Sequence, residues 1–179
     1  MKEVEIKIRL ENLEKTLELL EAKGCKFGES LSQRDSIFIP QAEPTVPVSL
    51  GVNVLRVRRE NERTLFTLKQ GQELAKTERE LQIADPAIME EIILMLGFKK
   101  IAQINKVRRK CRVGELEICA DEVEGLGSFV EVEKITAEVP EKVQAELLNL
   151  LTGFGVDVSK RVSVGYDILY VQKYGPARV

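Results

Sequence analysis

The chain has 179 residues, 44% hydrophobic and 31% charged, with a net charge of -2 and a pI near 5.5. That balance belongs to a folded, well-solvated protein with enough chain for one core, and residues 1–179 are expected to form a single domain. No apolar run approaches the roughly 18 residues of a membrane span, and the charge argues against binding nucleic acid through a basic face.

Residues 2 to 10 open with strict alternation, Val4, Ile6, Ile8 and Leu10 on one face and Glu3, Glu5, Lys7 and Arg9 on the other, which predicts a strand. The same opening lacks the apolar core of a signal peptide, so a cytoplasmic address is expected. Asn12 can cap a helix over about residues 12 to 23, stopped by Gly24. Short alternating or β-branched segments at 33 to 39, 52 to 60, 63 to 70 and 76 to 83 predict an antiparallel meander with a longer loop at 40 to 51.

Asp85-Pro86 starts a second helix that ends at Gly97, since Asp at the cap and Pro in the first turn are both start signals. Strands are predicted at about 101 to 113, 115 to 122 and 128 to 138, with hairpin turns at Gly114 and at Gly125-Leu126-Gly127. A third helix begins at Pro140. A last strand at 156 to 164 and a short tail helix at about 166 to 173 complete the reading.

The chain contains no histidine, which excludes His-based acid–base catalysis, Ser-His-Asp and Cys-His arrangements, and His-ligated metals. Any metal must be held by oxygen. Cys25, Cys111 and Cys119 are odd in number and lack CxxC spacing, so buried, inert thiols are expected rather than disulfides or a zinc site.

The unusual feature is the sign of the charges. Acids alternate in Glu3-x-Glu5, Glu78-x-Glu80, Glu115-x-Glu117 with Asp121, and Glu131-x-Glu133; bases alternate in Lys7-x-Arg9, Arg56-x-Arg58 and Lys106-x-Arg108-x-Lys110, with Lys69 beside them. Each pair alone could be a solvated outer face, where ion pairs contribute little. If the strands close into a barrel with these faces inward, each unpaired ion would cost several kcal/mol, and the interior would require a charged guest. Carboxylates without histidine suit hard cations such as Mg²⁺ or Mn²⁺, and clustered Arg and Lys suit phosphate oxygens. Nucleotide-binding glycine loops are absent.

Glu3-Val4-Glu5-Ile6-Lys7 resembles the ExExK motif of the CYTH superfamily, the triphosphate tunnel metalloenzymes, which include class IV adenylate cyclases, thiamine triphosphatases and inorganic triphosphatases. The resemblance continues in order through Gln33, Asp35 and Phe38, then Leu55-Arg56-Val57-Arg58, Thr67-Leu68-Lys69, Glu78-Arg79-Glu80 and Lys106-Val107-Arg108. It ends in a run from Asp121 through Val123, Gly125-Leu126-Gly127 and Phe129 to Glu131 and Glu133. Tyr166-Asp167-Ile168-Leu169 departs from the family's Ser-Tyr-x-Asp-Leu-Leu, because Tyr is directly beside Asp.

The resemblance implies an α+β fold, an eight-stranded antiparallel β-barrel forming a tunnel with helices packed outside. It implies Mg²⁺ or Mn²⁺ on Glu3, Glu5, Asp121, Glu131 and Glu133, with Glu78 and Glu80 as further ligands or as partners for the bases. Lys7, Arg56, Arg58, Lys69, Lys106 and Arg108 would bind the triphosphate, and Lys7, Lys106 and Arg108 are the candidate catalytic residues. The implied activity is that of a class IV adenylate cyclase, converting ATP to cyclic AMP and pyrophosphate; the alternatives are a triphosphatase and a non-catalytic polyphosphate-binding module. The expected partner is a small-molecule triphosphate, not nucleic acid or a membrane, and a homodimer is compatible with this reading.

Overall fold

A computed structural model of the chain describes residues 2–44, 46–49, 51–72 and 75–177. The fold is α+β, an eight-stranded antiparallel β-barrel with four helices packed outside. Its residues group into two compact units, Met1–Leu31 with Lys106–Ser163, and Ser32–Asn105 with Val164–Val179.

In the first unit, β1 (Lys2–Leu10) lies between β8 (Gly127–Thr136) and the two-residue β9 (Arg161–Val162). Beyond β8 follow β7 (Leu116–Val123) and the C-terminal part of β6 (Phe98–Val113), all antiparallel. The apolar residues of the alternation face one way: Val4, Ile6, Ile8, Ile118, Val130 and Val132 are buried. Helix α3 (Pro140–Gly153) covers β1 and β8, and α1 (Leu13–Ala22) covers β7. Their buried stripes, Val143, Leu147 and Leu151 on α3 and Leu17 and Leu20 on α1, recur at helical spacing.

The start signals act as their chemistry requires. Asn12 Oδ1 accepts from the Lys15 amide at 2.9 Å, satisfying an otherwise orphaned donor of the first turn. The β7–β8 turn places Gly125 and Gly127 at positive φ, where a side chain would strain the backbone.

In the second unit, β2 (Leu31–Pro40), β3 (Val54–Glu60), β4 (Arg63–Gln72) and β5 (Ala75–Gln82) form the expected meander. Helix α2 (Pro86–Met95) is capped by Asp85 Oδ1, which accepts from the Ala87 amide at 2.8 Å and the Ile88 amide at 3.1 Å. It packs Ile93 into a cluster with Phe38, Leu55 and Val57. Helix α4 (Tyr166–Tyr174) matches the expected tail helix, with Tyr166 buried at its start.

The strand expected over 156 to 164 is reduced to the two residues of β9. Asp157 Oδ1 accepts from the Ser159 amide at 3.0 Å and winds Val158–Lys160 into a single 3-10 turn, which leaves only β9 to pair with β1. A local side-chain hydrogen bond competes with extension there. All three cysteines are buried as free thiols. Burial, with Cys111 beside it, pushes the Cys25 thiol up to about 11, consistent with an unreactive group.

Ile6 is fully buried beneath the covering helices. Ile6→Ala is expected to lower the free energy of unfolding by about 3 kcal/mol through lost burial and the cavity left behind. Urea denaturation followed by circular dichroism checks this.

Candidate functional site

The opposite face of the first unit carries the charges, and the strand register sorts them into rows. Glu5, Glu133 and Glu117 stand directly opposite one another across β1, β8 and β7. Lys7, Glu131, Cys119 and Lys110 form the next row, and Arg9, Phe129, Asp121 and Arg108 the third. This is not a solvated outer face: Lys7 is 1% exposed, Asp121 0%, Glu131 4% and Arg108 6%.

Such burial is tolerable only with close pairing. Lys7 Nζ lies 3.0 Å from Glu131 Oε1 and 3.2 Å from Glu5 Oε1. Arg108 grips Asp121 with Nε at 2.6 Å and Nη2 at 2.5 Å, and the same Nη2 donates to Glu131. Lys106 Nζ donates to Asp121 Oδ2 at 3.2 Å. Burial opposes charge on Lys7, Arg108, Asp121 and Glu131, but their partners outweigh it. The Glu131 carboxyl is held well below the usual range by Lys7 and Arg108, and that of Asp121 is lowered by Arg108 and Lys106. The Lys7 ammonium is pushed above its ordinary value by Glu131 and Glu5 in the same way.

Glu133 behaves oppositely. Burial first, then the neighbouring charges of Glu3, Glu131 and Glu5, push its carboxyl up to about 9 despite Arg108. One oxygen from each of Glu3, Glu5 and Glu133 lies within 4.8 Å of the others. Three carboxylates whose crowding keeps one protonated form an oxygen donor set suited to a hard divalent cation. A second grouping, Glu117, Cys119 and Glu133, meets the same distance. It suits a cation less well, because Lys110 holds Glu117 at 2.7 Å and burial keeps the Cys119 thiol protonated.

The second unit has a charged face of its own. Asp35 faces Arg58 across β2 and β3 and accepts from its Nε and Nη2 at 2.7 Å each, with both residues buried. Arg56 Nη2 meets Thr67 Oγ1 at 3.0 Å and Glu80 Oε2 at 3.1 Å, and Thr67 donates to Glu80 at 2.7 Å. Lys69 pairs with Glu78, directly opposite on β5. Burial opposes ionisation of Glu78, but Lys69 and then Arg56 prevail and lower its carboxyl.

Of the proposed metal ligands, the first unit therefore brings Glu3, Glu5 and Glu133 together and places Asp121 and Glu131 against bases. In the second unit, Glu78 and Glu80 partner Lys69 and Arg56. Each proposed base, Lys7, Lys106 and Arg108 in the first unit and Arg56, Arg58 and Lys69 in the second, contacts a carboxylate. Glu117 and Lys110 stand out in the sequence as members of the alternating runs, and Asp35 and Thr67 as members of the family-like motifs, but their roles come from the partners that the strand register places opposite or beside them.

The first unit of this antiparallel α+β fold thus carries a buried face on which carboxylates grade into bases. The chain belongs to the CYTH domain family, which it matches over residues 1–166. It is 30% identical over 172 residues to a protein of Methanocaldococcus jannaschii named as a candidate adenylate cyclase, covering 93% of this chain and 97% of that one. A solved protein of Pyrococcus horikoshii superposes with a TM-score of 0.78 at 26% identity, over 93% of this chain and 98% of that chain. A Hippeastrum protein, a candidate adenylyl cyclase described as having dominant triphosphatase activity, shares the fold with a TM-score of 0.63 at 20% identity, over 99% and 97% of the two chains.

The Glu133 shift has a measurable sign. Its folded value, about 9, lies above the ordinary carboxyl value of 4.5, so its contribution to stability is full below about pH 4.5 and is lost as the pH rises through about 9. The lowered groups Asp121 and Glu131 act in the other direction, but only below the ordinary carboxylate range. In EDTA, the thermal midpoint is expected to fall between pH 5 and 9, and Glu133→Gln is expected to flatten that slope. Calorimetric scans of both proteins across this range check it.

Proposed function

We propose that the protein is a divalent-metal-dependent enzyme of the class IV adenylate cyclase type, acting on a triphosphate. The observation that carries the reading is the convergence of Glu3, Glu5 and Glu133 beside the buried bases of the first unit. Family membership and the name of the Methanocaldococcus relative support it.

In this reading Glu3, Glu5 and Glu133 hold Mg²⁺ or Mn²⁺. The bound cation would neutralise phosphate charge and lower the pKa of an attacking hydroxyl. Lys7, Lys106 and Arg108 contact the reacting phosphates; Arg56, Arg58 and Lys69 also bind phosphate oxygens. Carboxylate partners keep these bases charged and oriented before a ligand arrives, and binding exchanges part of those contacts for phosphate oxygens, with little reorganisation left for the reaction. The 3′-oxygen of ATP forms its bond to the α-phosphorus, the bond from that phosphorus to pyrophosphate breaks, and the hydroxyl proton passes to solvent water. Lys7, Lys106 and Arg108 stabilise charge moving onto the departing oxygens. The partner is thus a small triphosphate.

A second reading keeps the same residues and lets water attack a terminal phosphate. The triphosphatase activity described for the Hippeastrum protein favours it.

Incubation with ATP or tripolyphosphate and Mg²⁺ or Mn²⁺, followed by separation of products, distinguishes the two. Cyclic AMP with pyrophosphate is expected; orthophosphate alone moves the assignment to the triphosphatase, and no product from either substrate sinks both. Glu5→Gln and Lys7→Ala are each expected to lower kcat by about 100-fold or more. Unchanged turnover in both variants would remove that face from the mechanism.

A further inference from the structure

Gln33 is 1% exposed and lies on the charged face of the second unit, opposite Glu60 across β2 and β3. Its Nε2 donates to Glu60 Oε2, while its Oε1 is buried with no hydrogen-bond partner. The reversed amide would set a carbonyl oxygen against a carboxylate, so Glu60 determines which end of the amide is left over. Among the described residues, Gln33 Oε1 is the one buried side-chain polar atom in this state. A buried acceptor without a donor calls for a physical explanation.

The register supplies one. Ile37–Arg56, Asp35–Arg58 and Gln33–Glu60 are successive rows, each two residues or about 7 Å further along the strands. The first two rows carry guanidinium groups; in the third, Glu60 stands between Gln33 and the exposed Arg63, and the buried Gln33 oxygen lies beside the Glu60 carboxylate. These acceptors repel a phosphate and suit an N–H donor. Arg58 stands one row from the Gln33 oxygen, within reach of a group attached to a triphosphate bound there.

We propose that Gln33 is a specificity-determining residue whose Oε1 accepts an N–H from an amino-bearing ring attached to the triphosphate, which makes the substrate an organic triphosphate rather than inorganic tripolyphosphate. The assignment rests on the triphosphate reading given above. The negative charge of Glu60 next to the acceptor favours an amino group over a ring carbonyl, and the loss of that hydrogen bond on substitution penalises the amino-bearing ligand alone.

The test compares wild type with Gln33→Met, which keeps the length of the side chain and removes the amide, using ATP, thiamine triphosphate and tripolyphosphate. At least one of the two amino-bearing substrates is expected to lose about tenfold or more in kcat/KM, mainly through KM, while tripolyphosphate stays within about twofold. Equal losses on all three would make Gln33 a structural residue, and no loss on any would leave its oxygen to solvent; either result overturns the inference. If wild type turns over none of them, calorimetric binding replaces kinetics. A selective tenfold weakening would then uphold Gln33 while overturning the enzymatic reading, and no binding of any triphosphate would overturn both.

Discussion

The Arg108–Asp121–Glu131–Lys7 network is the constraint on which the first unit depends. Four ionised groups with almost no exposure sit on adjacent strands, and each is stable only because the next is within hydrogen-bonding distance. Removing one member would leave an uncompensated buried charge, which typically costs 3–5 kcal/mol. The network also orients the bases, and under the proposed function the same pairing would prepare them for phosphate.

Glu133 lies just beyond the reach of that compensation. The bases satisfy Glu131 and Asp121, and Glu133 is left beside Glu3 and Glu5 with its carboxyl pushed up to about 9. A divalent cation would remove the repulsion and release a proton from the site. Under the proposed function the imbalance would make triphosphate binding depend on a metal, because crowded carboxylates alone oppose the approach of a polyanion.

Much of this was legible in the residues. Period-two alternation in β1 and the cap signals at Asn12 and Asp85 act locally, so sequence suffices to read them. Glu3, Glu5 and Lys7 stood out because one strand presents them on one face. The distinction between Glu133, which joins Glu3 and Glu5, and Glu131, which joins Lys7 and Arg108, was not legible, since it depends on a cross-strand register between residues more than a hundred positions apart. Gln33 and Asp35 stood out as motif positions, but the Glu60 and Arg58 opposite them, which give them their roles, follow from the register. The shortened strand over 156 to 164 shows the reverse case, where one aspartate and one amide outcompete an apolar pattern.

If the acids and bases on the charged face of the first unit act together as proposed, a triphosphate is held only with a divalent cation. Titrating tripolyphosphate into the protein by calorimetry at neutral pH, with Mn²⁺ and again with EDTA, tests it most directly. The account expects saturable binding with Mn²⁺ that weakens by about 100-fold or more in EDTA, a difference of about 2.7 kcal/mol. Equal affinity in the two conditions would contradict it.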